Sequence, residues 1–503
     1  MRITESMLEY DLFISYSRAD NGSGWINRFL ETLADEHQKF SGGRSLKYFF
    51  DRDDIENFAH WRSEIFNKGL TRSRLFLAFV SPSYFASEVC RQEWRAWIDQ
   101  EIALHVLSSG AAPIYIVEVP GFVSKPMLPE HDVAREIAKL CSIPAPHDAF
   151  TIDVSSIVKE FRRRQINAVQ PFYREGVEAL QRADVQQVLQ KLAKELDRRA
   201  EDVKAATESE NTIPPYNRNF TGRMDELRTL RSQLTDNRAG VIAGIHGLGG
   251  IGKTELAFTY AHAFASVYRG GRFLIMCEGR SSLREAVLLL GSTDAIHARI
   301  NDEERKNPDD HFAAILRCLR ERIDQFGHVL LVLDNVTNAD VVSSQQTDAL
   351  TVIGPKLHLL ATTRLSPKSS ANWLTLGELS ASEAMELLAK HRPFADDAER
   401  AAARTIVRKL GGFALAIELV AAGLAVKPSA SYASVAEGIG LDDLDMLAED
   451  QDIELRRHNH ERRLHAGLGP TLAELSPEER RVMEYTAFLP PDVVALPWLR
   501  TLV

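Results

Sequence analysis

Four cysteines are scattered over 503 residues, at positions 90, 141, 277 and 318. None has a neighbour at metal-ligand or disulfide spacing, which excludes a zinc module and a disulfide-stapled secreted fold and favours a reducing compartment. No apolar run reaches the ~18 residues that a membrane helix requires; the longest, 413–426, is interrupted by Glu418. The N-terminus carries Glu5 and Glu9 before a short apolar-aromatic stretch, which is not the pattern of a secretory leader. Basic residues are also in short supply: 60 Lys and Arg face 70 Asp and Glu, a net charge of −10. That balance argues against a general nucleic-acid or anionic-membrane partner. Internal repeats and low-complexity tracts are missing. What remains, 45% hydrophobic and 26% charged, is ordinary globular protein. At roughly 150 residues per domain its length corresponds to about three domains, and a cytoplasmic location is expected.

The chain is expected to be α/β in two units. In the first, short buried strands are read at 11–16, 46–50, 75–80 and 113–119, with amphipathic segments at 25–33 and 185–196. Strands separated by helical patterns imply a parallel sheet covered on both faces. Residues 121–170 read as an irregular insertion, and 201–218, with its Pro214-Pro215 pair, as an exposed linker. A second alternating unit spans 219–379, with strands at 241–245, 273–277, 329–333 and 357–362. It is followed by a helical stretch at 380–440 that opens on a Ser380-x-x-Glu383 capping box. A further helical unit begins at 465 and runs to 503.

Gly247-Leu-Gly-Gly-Ile-Gly-Lys-Thr254 has the P-loop pattern between a strand and a helix. Glycines let backbone N–H groups curl around phosphate oxygens, and the helix N-terminus adds a favourable dipole. Gly247, Gly249, Gly250, Ile251 and Gly252 form that cradle. Lys253 reaches toward the β- and γ-phosphates, and Thr254 offers a hydroxyl to Mg²⁺. Val329-Leu-Leu-Val-Leu-Asp334 is a strand ending in the acid that completes a Mg²⁺ site. Leu359-Leu-Ala-Thr-Thr-Arg364 ends in an arginine placed to meet the γ-phosphate; the alternative is a surface arginine.

These residues resemble the NB-ARC module of signal-transducing STAND ATPases, which includes plant NLR receptors and animal apoptosome scaffolds. The resemblance covers about 216–503. It takes in Phe220-Thr-Gly-Arg223, where the family has a Gly-Arg pair near the adenine, and Gly411-Gly-Phe-Ala-Leu-Ala416, where Ala414 replaces the family's proline. It implies an ATP/ADP switch with Arg223 at the nucleotide. Asn335 stands where many members carry a second acid. An amide takes no proton from water, so slow or absent hydrolysis is expected. The family's winged-helix domain would begin at 465, and its His sensor and C-terminal sensing repeats are not in this sequence. The 503 residues are therefore expected to belong to a longer protein.

The first unit, over 8–200, resembles a Toll/interleukin-1 receptor (TIR) domain of flavodoxin-like fold. The matching segments are Tyr10-Asp-Leu-Phe-Ile-Ser-Tyr-Ser-Arg18, Phe50-Asp51, Ser81-Pro-Ser-Tyr-Phe-Ala-Ser87 and Cys90-Arg-Gln-Glu93. In NAD⁺-cleaving members the Glu of this last motif is catalytic, which points to Glu93. The resemblance further implies Tyr16, Ser17 and Arg18 at the diphosphate or ribose, Trp61 at the nicotinamide ring, and the loop from Asp51 to Trp61 completing a neighbour's site. Glu101 is a second candidate acid. The competing readings are Glu93 as a solvated helix carboxylate above buried Trp94, Trp97 and Ile98, and Trp61 as core.

Joined, the two resemblances imply a bacterial-type defence protein whose self-association through both units switches on NAD⁺ hydrolysis to nicotinamide and linear or cyclic ADP-ribose. Its trigger, with a phage component as one candidate, would be sensed outside this sequence. The alternatives are a non-enzymatic TIR adaptor and a STAND transcriptional regulator.

Overall fold

The computed structural model describes residues 8–50, 69–104, 107, 110–123, 126–143, 148–164, 167–168, 170–215, 217, 219–235, 242–351, 353–365, 373–427 and 430–439, together with 477 and 481. The start of the expected winged-helix unit at 465–503 lies almost wholly outside the described residues, as do Asp51 and Trp61.

The first unit is built on five parallel strands, β1 (Tyr10–Ser15), β2 (Tyr48–Phe49), β3 (Ser73–Val80), β4 (Ala111–Tyr115) and β5 (Asn167–Ala168), in the order β2-β1-β3-β4-β5. Central strand β3 is buried along nearly all its length, as a strand with helices on both faces must be. Helices α1 (Trp25–Phe40), α2 (Glu88–Ala103), α3 (Glu130–Leu140), α4 (Asp148–Arg163) and α5 (Ala183–Glu208) surround it. The order is that of the flavodoxin-like fold, whose ligands enter where neighbouring connections leave to opposite sides, at the carboxyl ends of β1 and β3.

Two expectations are corrected here. Residues 121–170 are not an irregular insertion: they supply α3, α4 and edge strand β5, and Val133, Ile137, Val154, Val158 and Phe161 are core. The sequence signal was weak because β5 is two residues long. The expected linker at 201–218 is helical as far as Glu208, since Ala, Glu and Lys in that stretch favour continuation. Beyond it, Asn211 bridges to Arg272, and Leu274 N–H donates to Thr212 Oγ1 at 2.8 Å. Ile213 is buried. The connection is stitched to the second sheet rather than free.

That sheet holds β6 (Ile242–His246), β7 (Gly271–Met276), β8 (Val329–Val336), β9 (Leu357–Thr363) and β10 (Trp373–Thr375), all parallel, in the order β10-β6-β9-β8-β7. Helices α6 (Met224–Thr235), α7 (Lys253–Ala263) and α8 (Pro308–Phe326) flank it. A helical bundle follows: α9 (Ala381–His391), α10 (Asp397–Leu410), α11 (Ala414–Val426) and α12 (Tyr432–Gly438). The expected capping box is formed, with Ser380 and Glu383 bonding each other's backbone.

The two units share packed surface. Ile102 and Leu107 of the first belong to the core of the second, and Leu107 N–H donates to the Ala263 carbonyl at 2.9 Å. Around this contact run ion pairs: Arg163 with Asp225 at 2.8 Å, Arg228 with Glu160, and Arg269 with Asp202. No described helix is long and apolar enough to cross a membrane.

Near the C-terminal end of α2, Glu101 is fully buried and accepts two parallel bonds from Arg164 at 2.7 Å each, plus one from Gly110 N–H at 2.8 Å. The same guanidinium covers the Trp94 ring at 4.8 Å. Removing one partner of a buried pair strands the other charge in a low-dielectric interior, at about 3–5 kcal/mol. Glu101→Ala is therefore expected to destabilise the first unit by that order. The check is urea unfolding followed by tryptophan fluorescence, and the double change Glu101→Leu with Arg164→Leu should recover part of the loss.

Candidate functional site

Two constellations lie at carboxyl ends of strands. In the first unit, Ser15 ends β1 and is 1% exposed; its hydroxyl lies 2.6 Å from Glu93 Oε2 and 3.1 Å from the Tyr84 hydroxyl. With a single proton, Ser15 donates to the carboxylate, which leaves it to accept from Tyr84. Glu93 is 7% exposed, so the reading of a solvated helix carboxylate is overturned. The reason is helix phase: Glu93, Trp94 and Trp97 all face the sheet, while Arg95 faces water. Ile98, expected beside them, is half-buried and packs against the cores of both units.

One turn earlier, Cys90 Sγ donates to the Tyr16 carbonyl at 3.3 Å. Burial and the nearby Glu93 push its thiol far above the usual range, so it is inert packing rather than a nucleophile. Glu101, the second candidate acid, is occupied by Arg164 and is structural.

The loop after β1 carries the expected ligand residues. Tyr16 stacks on Phe50 at 5.0 Å with ring planes 16° apart, Ser17 is buried, and Arg18 is exposed. Sequence reasoning missed Asp20, which anchors this loop: its carboxylate accepts from Ser81 after β3, and its carbonyl accepts from Tyr173. Burial pushes the Asp20 carboxyl up to about 6. It also missed Ser15 and Tyr84, whose only signal was position: one ends a strand and the other opens the next short helix.

In the second unit, the P-loop surrounds a cavity of about 470 Å³. Gly249, Gly250, Ile251, Gly252, Lys253 and Thr254 line it, joined by Asp334 from β8, Arg364 after β9, and Phe220 and Arg223 from the preceding turn. Gly247 does not line the cavity; its carbonyl is held by Lys253. Gly250 has φ +74, and a Cβ there would meet the Phe413 ring at 2.9 Å. Only glycine lets the loop pass so close to α11. Leu415 N–H then donates to the Gly250 carbonyl at 3.2 Å.

Lys253 Nζ donates to the carbonyls of Gly247 at 2.9 Å and Leu248 at 2.6 Å. Burial, with Arg364 as a neighbouring cation, lowers it to about 8. Thr254 Oγ1 donates to Asp334 Oδ1 at 2.9 Å, and Thr362 Oγ1, unforeseen, donates to the same oxygen at 2.6 Å. A hydroxyl and a carboxylate side by side are hard oxygen donors of the kind Mg²⁺ takes together with substrate phosphates. Thr254 and Asp334 therefore fit that ion, which would neutralise charge on the phosphates.

Arg223 lines the cavity, and its side chain is also bonded to the protein. Its guanidinium bonds Glu226 and the Gly377 carbonyl, and its backbone N–H, at φ +59, donates to Glu383 at 2.8 Å. It builds the wall of the cavity by tying the turn to α9. Lys390, also on α9, donates to the Phe220 carbonyl at 2.8 Å and to Asp99 on α2 at 3.0 Å.

Residues 12–120 match the family model for the TIR domain. Among curated proteins none matches the chain. Solved structures similar to it include a signal transduction ATPase with numerous domains, bearing a tetratricopeptide repeat sensor, from Pyrococcus horikoshii (18% identity, TM-score 0.32, 55% of this chain and 36% of that one). Others are Cdc6p from Pyrobaculum aerophilum (14%, 0.25, 41% and 64%) and Drosophila ORC bound to DNA (13%, 0.31, 56% and 90%). The chain thus spans about a third of the length of the first of these.

The lowered Lys253 makes nucleotide binding proton-linked. Phosphates favour its charged form and raise it above about 8, so near pH 8 binding should take up about half a proton. The uptake should vanish below about pH 7, where Lys253 is already charged in the free protein. Calorimetry in buffers of different ionisation enthalpy reads this directly, and Lys253→Ala should abolish both the uptake and ATP binding.

Proposed function

We propose that this chain, whose N-terminal unit is a TIR domain, is a nucleotide-switched defence protein in which TIR units brought together on assembly hydrolyse NAD⁺ to nicotinamide and ADP-ribose. The observation that carries the reading is the placement of Glu93, buried at the carboxyl end of β1 and positioned by Ser15. One carboxylate suffices for this reaction. Nicotinamide in NAD⁺ is already cationic and departs neutral without a general acid, unlike the leaving oxygen of an ordinary glycoside. What the site must supply is a fixed anion beside an oxocarbenium-like ribose, and preorganised charge of this kind provides most of the rate enhancement in many enzymes. Water then adds at the anomeric carbon and gives up its proton.

The switch is supported by the P-loop cavity and by contacts that lead from it to the TIR unit. Helix α2 carries both Glu93 and Asp99. Lys390 holds Asp99 and, with the same ammonium, the Phe220 carbonyl of the turn lining the nucleotide cavity. A nucleotide that moves this turn therefore pulls on the helix bearing the reacting carboxylate. Self-association through both units, a trigger sensed elsewhere, and NAD⁺ depletion as the outcome complete the reading.

Glu93→Ala should lower nicotinamide release by about 100-fold or more in a concentrated or assembled sample. Equal rates in the two proteins would remove Glu93 from the chemistry, and no release from either in any assembly state would favour a non-enzymatic adaptor. Lys390→Ala should raise release in the untriggered protein, measured in the same assay. An unchanged basal rate would show that this contact does not restrain the TIR unit.

A further inference from the structure

Four carboxylates line the nucleotide cavity: Glu255, Glu278, Asp334 and Glu418. Three have work already. Asp334 accepts from Thr254 and Thr362, Glu418 pairs with His391 at 3.0 Å, and Glu255 bonds the side chain of Asn217. Glu278, among the described residues, has no hydrogen-bond or ion-pair partner. An unpaired anion facing a site built for polyphosphate repels its own ligand, so its presence calls for a role.

Its placement supplies one. Strands β7 and β8 pair in parallel with Met276 beside Asp334, and Cys277 N–H donates to the Asp334 carbonyl at 2.8 Å. Met276 ends β7 and Glu278 follows in the turn after it; both line the cavity, while Cys277 between them is fully buried. Gly279 then turns the chain at φ +71, and its N–H donates to Thr337 Oγ1 at 3.1 Å. Ties on both sides thus hold Glu278 in the turn just after β7, the strand adjacent to the one that bears Asp334, and it is exposed to solvent.

We propose that Glu278 is the catalytic residue that orients and deprotonates the attacking water in nucleotide hydrolysis, in place of the acid missing at Asn335. This deepens the nucleotide-switch reading and rests on it. Water attacks the γ-phosphorus, the bond to the β–γ bridging oxygen breaks, ADP leaves with that electron pair, and the water proton passes to the Glu278 carboxylate. The loose transition state of phosphoryl transfer asks mainly for positioning of the water, and general-base assistance contributes about 10²–10⁴-fold. The switch then times itself by hydrolysis rather than by exchange alone. The expectation of slow or absent turnover rests on Asn335; on this proposal the acid comes instead from the turn after the neighbouring strand.

The test compares wild type with Glu278→Gln, which keeps size and hydrogen bonding and removes the base. Both are loaded with Mg²⁺-ATP, incubated, freed of unbound nucleotide and denatured, and the bound nucleotide is identified by chromatography. Wild type should hold ADP and Glu278→Gln should hold ATP, with turnover reduced about 100-fold and binding of a fluorescent ADP analogue retained. That retained binding also shows the variant to be folded. If both proteins hold ADP, or both hold ATP, Glu278 is not the base. If wild type binds no nucleotide and Lys253→Ala changes nothing, the nucleotide-binding reading itself fails, an outcome separate from the other two.

Discussion

Parallel pairing is the constraint on which both constellations depend. Because every strand in the two sheets runs the same way, all carboxyl ends in a sheet emerge on one edge. Loops leaving that edge bring distant sequence into one place. Ser15, Tyr84 and Glu93 meet there in the first unit; Lys253, Asp334, Arg364 and Glu278 gather there in the second. The strand interiors are largely apolar, and the polar residues that the sites use, Ser15, Asp334 and Thr362, stand at or near the carboxyl ends.

Within the first unit, the same helix carries two buried carboxylates with opposite fates. Glu101 is neutralised by a two-pronged arginine that is itself sealed under Trp94. Such a pair contributes specificity of packing and leaves nothing for a ligand. Glu93, two turns earlier, accepts a hydrogen bond from the Ser15 hydroxyl at the carboxyl edge of the sheet. Both side chains are buried, and their difference arises from where they lie along α2: Glu93 beside the carboxyl end of β1, Glu101 beside Gly110 at the amino end of β4.

The sequence made the strand-rich core and the P-loop legible because both leave dense local signals: unbroken apolar runs, and glycines with Lys253 and Thr254 at fixed spacing. Asp334 was readable as the polar end of such a run. Residues whose partners are distant in the chain were not. Thr362 and Glu278 matter only through the pairing of β9 and β7 with β8, and Ser15 only through a helix 78 positions later. Edge strand β5 was invisible because two residues carry no periodicity. Arg223 was found by its motif and lines the cavity, but its bonds within the protein were not legible. Its positive φ turns the side chain toward Glu226 and the Gly377 carbonyl, a consequence of the glycine before it, which lies against Glu383 where a Cβ has no room.

The nucleotide cavity is also the junction of the molecule's parts. Its floor is the P-loop, whose Gly250 carbonyl accepts from Leu415 of the helical bundle. Its rim is the 220–223 turn, bonded through Glu383 to the cap of α9. From α9, Lys390 reaches α2 of the first unit. Lys253 bonds two carbonyls of its own loop, and phosphate oxygens, as charged acceptors, make stronger partners than those carbonyls. Filling the site thus exchanges bonds inside the loop for bonds to the ligand, at the point where the loop is tied to the bundle. A change of a few ångströms there has a continuous path of hydrogen bonds and packed side chains to α2. Packed interfaces repack between discrete arrangements instead of deforming smoothly, so such a path favours two states over a gradient.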